Sequence, residues 1–329
     1  MGKQNISKKI LHWYDNNKRI LPWRKHVTKK QKQYFTLVSE FMLQQTQVKT
    51  VIPYFENFIK KIPNLNKLSK VNDAKLMKCW EGLGYYSRAI NLKKTSKKII
   101  SDFGGSLPSN IEDLKILPGI GDYTSRAIMA IAFNKPIIPL DGNVERVLKR
   151  TFYLKKEYEI SKDNLNKKKN FFGISARSSD YAQAIMEIGA LICKPVAPLC
   201  IECPISKNCI SFKKNDFEIS SKNKPNKTKY FEAEIYKDKD KYLLVKNDKF
   251  KFLKNLLIFP MREVKEEKFN STLSKKINIK MSNMKMKIAL NKKSKKTKVK
   301  NSYLLDKENI NTYILPSFTK KIFKSVSKD

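Results

Sequence analysis

Two acidic residues stand out by their surroundings. Glu40 lies in "LVSEFMLQQTQV", a lone acid among apolar and amide side chains. A carboxyl placed there is expected to hold its proton well above the ordinary carboxylate range and to serve as a general acid. Asp141, in "PLDGNVERVL", stands just ahead of a helix whose apolar residues are Val144, Val147 and Leu148. It is either a helix cap, directly or through Asn143, or an ionised carboxylate that faces a developing cation. One protonated and one ionised carboxyl is what cleavage of an N-glycosidic bond needs, by analogy with glycoside hydrolysis through an oxocarbenium-like state.

A second constellation is Cys193, Cys200, Cys203 and Cys209, spaced C-x6-C-x2-C-x5-C in a chain with five cysteines in all. Zinc sites made of four cysteines usually pair two short loops, and only one short loop is present. Four thiolates with a long first loop suit a 4Fe–4S cluster, and zinc stays as the alternative. Cys79 reads as a buried thiol. The third constellation is "LPGIGDYTSRA" (117–127), where two of only ten glycines, Gly119 and Gly121, flank Ile120. Such a turn lets backbone N–H groups approach a phosphate at the start of the next helix. Its plain alternative is an ordinary helix–helix turn.

The elements that must position these residues are mostly helical up to about residue 213. Val48, Val51, Ile52, Phe55, Phe58 and Ile59 recur at helical spacing, with Pro53 expected in a first turn or at a kink. Further helices are expected over 90–100, 125–133, 144–148 and 181–192. Residues 214–229 have a linker's composition. Beyond them "FEAEIY" and "YLLVK" flank a turn, and "INIKM" and "MKMKI" alternate with period two, so 230–329 reads as a smaller α+β domain. Lys292, Lys293, Lys295, Lys296, Lys298 and Lys300 form a basic run, read as a solvated loop with a nucleic-acid contact as the lesser alternative.

The formal net charge of +39 points to a polyanionic partner, nucleic acid above all, although a lysine-rich composition accounts for part of it. No apolar run is long enough for a membrane span and no secretory signal is seen, so a cytoplasmic protein without a membrane partner is expected.

Together these segments resemble the adenine DNA glycosylases of the MutY family, in the helix-hairpin-helix superfamily that includes endonuclease III. The resemblance rests on "LPWR" (21–24), "VSEFMLQQTQV" (38–48), "WEGLGYYSRA" (80–89), "LPGIGDYT" (117–124), "LDGNVERV" (140–147), "QAIMEIGALIC" (183–193) and the four cysteines. It covers almost all of 5–212. The fold it implies is mainly α: a bilobal helix-hairpin-helix glycosylase with an iron–sulfur cluster loop, plus a small α+β Nudix-like C-terminal domain. The glycosylase domain would be 1–213, with a six-helix lobe at about 23–136 and an iron–sulfur lobe of 1–22 plus 137–213. A linker at 214–229 and a recognition domain at 230–329 would follow.

The resemblance implies removal of adenine mispaired with 8-oxoguanine or guanine in double-stranded DNA by a monomeric, nucleoid-associated bacterial enzyme. Glu40 would protonate the extruded adenine at N7. Asp141 would stabilise the cationic sugar, with Asn143 and Tyr123 supporting it. Arg24 and Gln183 would contact the adenine or line its pocket. Gln45 and Tyr85 would enter the stack or meet the orphaned base, and Thr46, Leu83, Gly119 and Gly121 would contact DNA. Relatives that also cut the backbone carry lysine where Tyr123 stands, and a phenol forms no imine, so base removal without strand cleavage is implied. The rivals are an endonuclease III-like lyase acting on pyrimidine lesions and a non-catalytic DNA-structure binder.

In the C-terminal domain "NLLIFPMRE" (255–263) and "YILPSFTKKIF" (313–323) match the family's Nudix-like pattern, without the acid-rich hydrolase box. No Ser-His recognition loop is evident, and "NMKMKIALNKKSKK" is expected to occupy its place in degenerate form. The basic stretch "KHVTKKQKQ" (25–33) departs from the family pattern.

Overall fold

The computed structural model describes residues 3–25, 28–218, 227–250, 252–281, 284–293, 302–306, 313 and 315–327. Helices α1 (Lys3–Asn17), α2 (Lys29–Leu43), α3 (Val48–Lys61), α4 (Leu65–Lys70), α5 (Asp73–Trp80) and α6 (Ser87–Asp102) come first. They are followed by α7 (Ile111–Lys115), α8 (Asp122–Phe133), α9 (Gly142–Thr151), α10 (Lys162–Lys168), α11 (Ser178–Glu187) and α12 (Ile210–Lys213). The rest of the chain forms β1 (Lys227–Asp238), β2 (Lys241–Lys246), β3 (Leu257–Ile258), β4 (Met261–Val264), α13 (Glu266–Ser271), β5 (Lys275–Met281), β6 (Met284–Lys293), β7 (Ser302–Asp306) and α14 (Ser317–Val326). Two units result: Met1–Val71 with Ile90–Lys222, and Asn72–Ala89 with Asn223–Asp329.

In the first unit α2 is the central helix. Thr28 caps it, its hydroxyl accepting the Gln31 N–H at 3.1 Å, and every residue from Tyr34 to Met42 is buried. A helix apolar on all sides must sit inside a core, and Glu40 goes inside with it. Pro53 lies at the sixth position of α3, past the first turn, where its ring removes one helical hydrogen bond. A second core joins α1, α9 and α11 through Ile10, Tyr14, Val144, Leu148, Tyr181 and Ile185. Asn134 ends α8 in the left-handed region and ties that end to α11. Its side chain donates to the Ala176 carbonyl at 2.9 Å and accepts the Ser179 N–H at 2.8 Å. The expected helices near 90–100, 125–133 and 144–148 are α6, α8 and α9. The one expected over 181–192 divides into α11 and a π turn at Ile188–Ile192, which delivers the chain to Cys193.

The second unit is built on a mixed sheet of strand order β3-β2-β1-β6-β5, with β4 on β1 and β7 on β2. β1 runs parallel to β6 from Lys227↔Met284 to Tyr236↔Lys293. Phe231, Phe259, Ile288, Leu305, Phe318 and Ile322 form its core, so α14 packs its apolar face on the sheet. β1 begins at Lys227, inside the stretch read as linker. Residues 72–89, expected in the six-helix lobe, group with this sheet. The segment proposed as a degenerate recognition loop is instead strand over 284–293, paired on both sides, because its alternating apolar residues face the core. Lys292 and Lys293 close β6, while Lys295, Lys296, Lys298 and Lys300 lie outside the described residues, as do His26 and Val27 of the basic stretch at 25–33. Among the described residues no helix is long and apolar enough to cross a membrane.

Candidate active site

A cavity of about 740 Å³ in the first unit is lined by residues of α1, the 3-10 turn at Pro22–Arg24, α2, α8, α9 and α11. Glu40, Tyr123, Asp141, Asn143, Arg24, Gln45, Thr46 and Gln183 all line it. The chain thus brings eight of the sequence-derived site residues to one space from five separate segments.

Glu40 is only 7% exposed. Burial pushes its carboxyl up to about 8, the Asp141 charge pushes the same way, and a hydrogen bond from the Tyr123 hydroxyl opposes them. The group therefore carries its proton at neutral pH, as a general acid must. Tyr123, in the first turn of α8, is itself held well above the ordinary phenol range by burial and by the Glu40 and Asp141 charges, so it stays a neutral donor.

Asp141 takes the capping role, one of the two the sequence left open. Its Oδ1 accepts the Val144 N–H at 2.7 Å, which caps α9, while Oδ2 accepts from Asn143 Nδ2 at 3.0 Å. Burial raises its carboxyl. The Val144 and Asn143 hydrogen bonds and the Arg146 charge oppose that rise and favour the ionised form.

Arg146 extends this arrangement. Its Nη2 donates to Asn143 Oδ1 at 2.8 Å and to the Gly189 carbonyl at 2.6 Å, and its Nε donates to the Cys193 carbonyl at 2.7 Å. Gly189 lies so close to α9 that an added Cβ would stand 2.5 Å from Asn143 Cβ and 2.9 Å from its backbone.

The opposite wall is a polar network. Arg24 Nε donates to Gln183 Oε1 at 2.7 Å, and Arg24 Nη2 donates to Glu187 Oε1 at 2.8 Å. Arg19 meets the same carboxylate through Nε at 2.8 Å and Nη2 at 3.0 Å. Glu187 is buried at 1% exposure, so two guanidinium groups hold a charge that burial alone would make costly.

Sequence reasoning missed Glu187, Arg19, Arg146 and Gly189. Glu187 stands four residues after Gln183, on the same face of α11, a spacing that points to it. Asn143, Arg146 and Arg150 form a polar stripe on α9 between its buried apolar residues, and that stripe was a readable signal too.

The glycine hairpin lies between α7 and α8. Gly119 has φ +85°, and a Cβ there would stand 2.8 Å from Phe41 Cε1 and 3.0 Å from Asn91 Cβ. Thr95 Oγ1 donates to the Pro118 carbonyl at 2.7 Å, and Gln44 Nε2 donates to the Gly119 carbonyl at 3.2 Å. Gly121 is the N-cap of α8, and a Cβ there meets no protein atom within 4 Å. In the second unit Tyr85 is 40% exposed, whereas Leu83, expected to meet DNA, is buried at 6% and offers little surface in this conformation.

With this geometry, sequence similarity decides the family. A curated adenine DNA glycosylase from Buchnera aphidicola of Schizaphis graminum is 36% identical over 281 residues, spanning 83% of this chain and 80% of its own. One from Buchnera aphidicola of Baizongia pistaciae is 38% identical, over 82% and 79%. This chain belongs to the adenine DNA glycosylase family. Residues 38–170 also match the family model described as HhH-GPD superfamily base excision DNA repair protein. The human adenine DNA glycosylase is 38% identical over 211 residues, 61% of this chain and 38% of its own.

A solved thermostable thymine-DNA glycosylase superposes with a TM-score of 0.57 at 28% identity, over 64% of this chain and 97% of its own. A non-covalent endonuclease III–DNA complex, at 22% identity and a TM-score of 0.52 over 65% and 98%, shares the fold. The chain is a base-excision adenine glycosylase, and its cavity is lined by Glu40 of α2, Tyr123 of α8 and Asp141 at the start of α9.

The four cysteines also come together. Cys193, Cys200, Cys203 and Cys209 line one small cavity with Arg150. Among the described residues no three His, Cys, Asp or Glu side chains group closely enough to hold a single ion. The donor set nonetheless fits a metal centre. Burial pushes the Cys203 thiol up to about 12, with the neighbouring cysteines adding to it, and the Ile205 N–H opposes this. Cys209 is raised by burial too, and receives N–H groups of Phe212 and Ser211. Thiols that line one such cavity give up their protons when they bind a positive centre. Arg150, 4% exposed, donates to the carbonyls of Lys194 at 2.6 Å, Pro195 at 2.9 Å and Phe217 at 3.1 Å, and its Nη1 lies 3.4 Å from Cys193 Sγ. It shapes the loop whatever the loop binds.

Proposed function

We propose that this enzyme hydrolyses the N-glycosidic bond of adenine paired with 8-oxoguanine or guanine in duplex DNA, acting as a monomer and leaving an abasic site. The observation that carries the reading is the protonated Glu40 beside Tyr123 and Asp141 at one cavity. An adenine turned out of the duplex enters that cavity and Glu40 gives its proton to N7. The bond from C1′ to N9 breaks, its electron pair goes to the base, and the sugar is left as an oxocarbenium cation. Asp141, held by Val144 and Asn143, stabilises that cation by charge or by a transient bond. Water then adds to C1′ and loses a proton.

Arg24, Gln183 and Glu187 offer donors and acceptors to the base edge. Gln45 and Thr46 border the opening, and Tyr85 stacks in the gap. Gly119 shapes the hairpin and Gly121 gives its backbone to a DNA phosphate. Tyr123 provides no amine, so the strand stays whole. In the same reading 1–213 excises, 230–329 inspects the partner base and the protein works at the nucleoid. Cys193, Cys200, Cys203 and Cys209 are assigned to a 4Fe–4S cluster, which when bound would tie together the loop whose carbonyls accept from Arg146 and Arg150 of α9.

The test uses end-labelled duplexes carrying A·8-oxoguanine, A·G or an oxidised pyrimidine, incubated with excess protein and split into samples with and without alkali. The adenine duplexes are expected to break only after alkali. Breakage of the pyrimidine duplex without alkali, with a borohydride-trapped adduct, would favour the lyase. Metal analysis of anaerobically purified protein is expected to find iron, and zinc without iron would overturn the cluster assignment.

A further inference from the structure

Within the second unit, Glu81 joins two segments that lie far apart in sequence. It follows the last residue of α5, and its carboxylate is 12% exposed. Lys320 Nζ, on α14, lies 2.8 Å from Oε1, and Lys78 Nζ lies 2.8 Å from Oε2. The N–H of Leu315, just ahead of α14, donates to Oε1 at 3.4 Å. Burial works to raise this carboxyl, and the two ammonium groups outweigh it and hold it below its ordinary range. The ion pair is partly shielded from water, where such pairs are worth more than on an open surface.

Each end of this bridge leads somewhere specific. On one side, α14 buries Phe318, Ile322 and Phe323 in the sheet core, and Lys320 is the residue between them that turns to Glu81. On the other side the chain enters Gly82, Leu83, Gly84 and Tyr85, of which Gly82 (φ 99°), Gly84 (φ 76°) and Tyr85 (φ 48°) are left-handed. A non-glycine residue in that region is held there by its surroundings. Trp80 Nε1 donates to the Gly84 carbonyl at 3.2 Å, and Arg88 Nη2 donates to it at 3.0 Å. The Arg88 guanidinium also lies 5.3 Å from the Tyr85 ring centre. The loop is therefore a stiff mount for an exposed tyrosine, and Glu81 stands at its foot.

We infer that Glu81 is a positioning residue that ties α14 to the Tyr85 loop through Lys320 and the Leu315 N–H, so that the C-terminal sheet sets the stance of Tyr85. The functional part of this inference rests on the proposed reading that Tyr85 enters the opened duplex. With the bridge intact, Tyr85 meets the mispair in one fixed orientation. With it cut, the loop samples others and extrusion of the base slows.

The test compares full-length wild type with Lys320→Met and Lys320→Arg. Lys320 is 35% exposed, so the methionine is tolerated by the fold. Backbone hydrogen exchange is measured over 82–86 without DNA, and single-turnover adenine excision is measured at saturating protein. Lys320→Met is expected to speed exchange in the loop by about tenfold, on the order of one charge-assisted bond, with Lys320→Arg near wild type. The excision rate should fall in the same order while the alkaline limb of its pH profile, set by Glu40, stays in place. Unchanged exchange over 82–86 in Lys320→Met would overturn the coupling. If wild type released no adenine from any duplex the function proposed above would fail, and the exchange comparison would still decide whether the bridge holds the loop.

Discussion

Burial raises both the Glu40 and the Asp141 carboxyl, and the N–H donors around Asp141 oppose that rise. Glu40 is enclosed by α2 and carries its proton up to about pH 8, while Asp141 is fixed by N–H donors and faces Arg146. The excision rate is therefore expected to fall as pH rises through about 8, where Glu40 loses its proton, and a single-turnover pH profile checks this. The same shift sets a stability trend. Between the ordinary value of 4.5 and about 8 the native protein holds a proton that the unfolded chain has lost, so stability falls as pH rises through that window. Glu40→Gln is expected to flatten the slope in chemical-denaturation measurements made across that window. Gly189 tests the fixing of Asp141 in the same way. An added Cβ would press on Asn143 at 2.5 Å, so Gly189→Ala is expected to cost about 1–3 kcal/mol of stability and to slow excision more than it weakens DNA binding. Denaturant midpoints and single-turnover rates measured together would show it.

At the level of elements, the two glycines of the hairpin separate. Gly119 is required by the protein itself, through its positive φ and the close approach of Phe41 and Asn91. Gly121 has open space where its side chain would be. Gly119→Ala is thus expected to lower both thermal stability and DNA affinity. Gly121→Ala is expected to leave the melting temperature near wild type and to weaken duplex binding, as an N–H phosphate contact would require. Melting curves beside salt-controlled binding titrations distinguish the two, and equal stability losses would contradict the assignment.

The elements themselves were largely visible in sequence because their apolar periodicity is strong, as in Val144, Val147 and Leu148 of α9. The short β7 and α13 were not, since five or six residues carry too little pattern. Residues 72–89 group with the C-terminal unit, and Glu81 among them pairs with Lys320 of α14, a pairing that no local signal announces.

Over the whole molecule, the sequence pointed to residues that line the cavity better than to those that support it. Glu40 was readable as a lone acid among apolar and amide side chains, and Asp141 and Tyr123 through their place in the family's motifs; all three line one cavity. Glu187, Arg146 and Arg150 were not singled out, because arginine and glutamate are common and their meaning lies in which distant atoms they reach. Arg150, for example, gathers Lys194, Pro195 and Phe217. The net charge of +39 gives such a site a strong general attraction for DNA and says nothing of which base it removes. In the function proposed above, Glu40 delivers the proton that releases adenine. The most direct measurement is the single-turnover rate of Glu40→Gln on an A·8-oxoguanine duplex, with duplex affinity measured alongside. A loss of at least about a hundredfold in rate is expected, the scale of a general acid removed, with affinity little changed. A rate equal to wild type would contradict it.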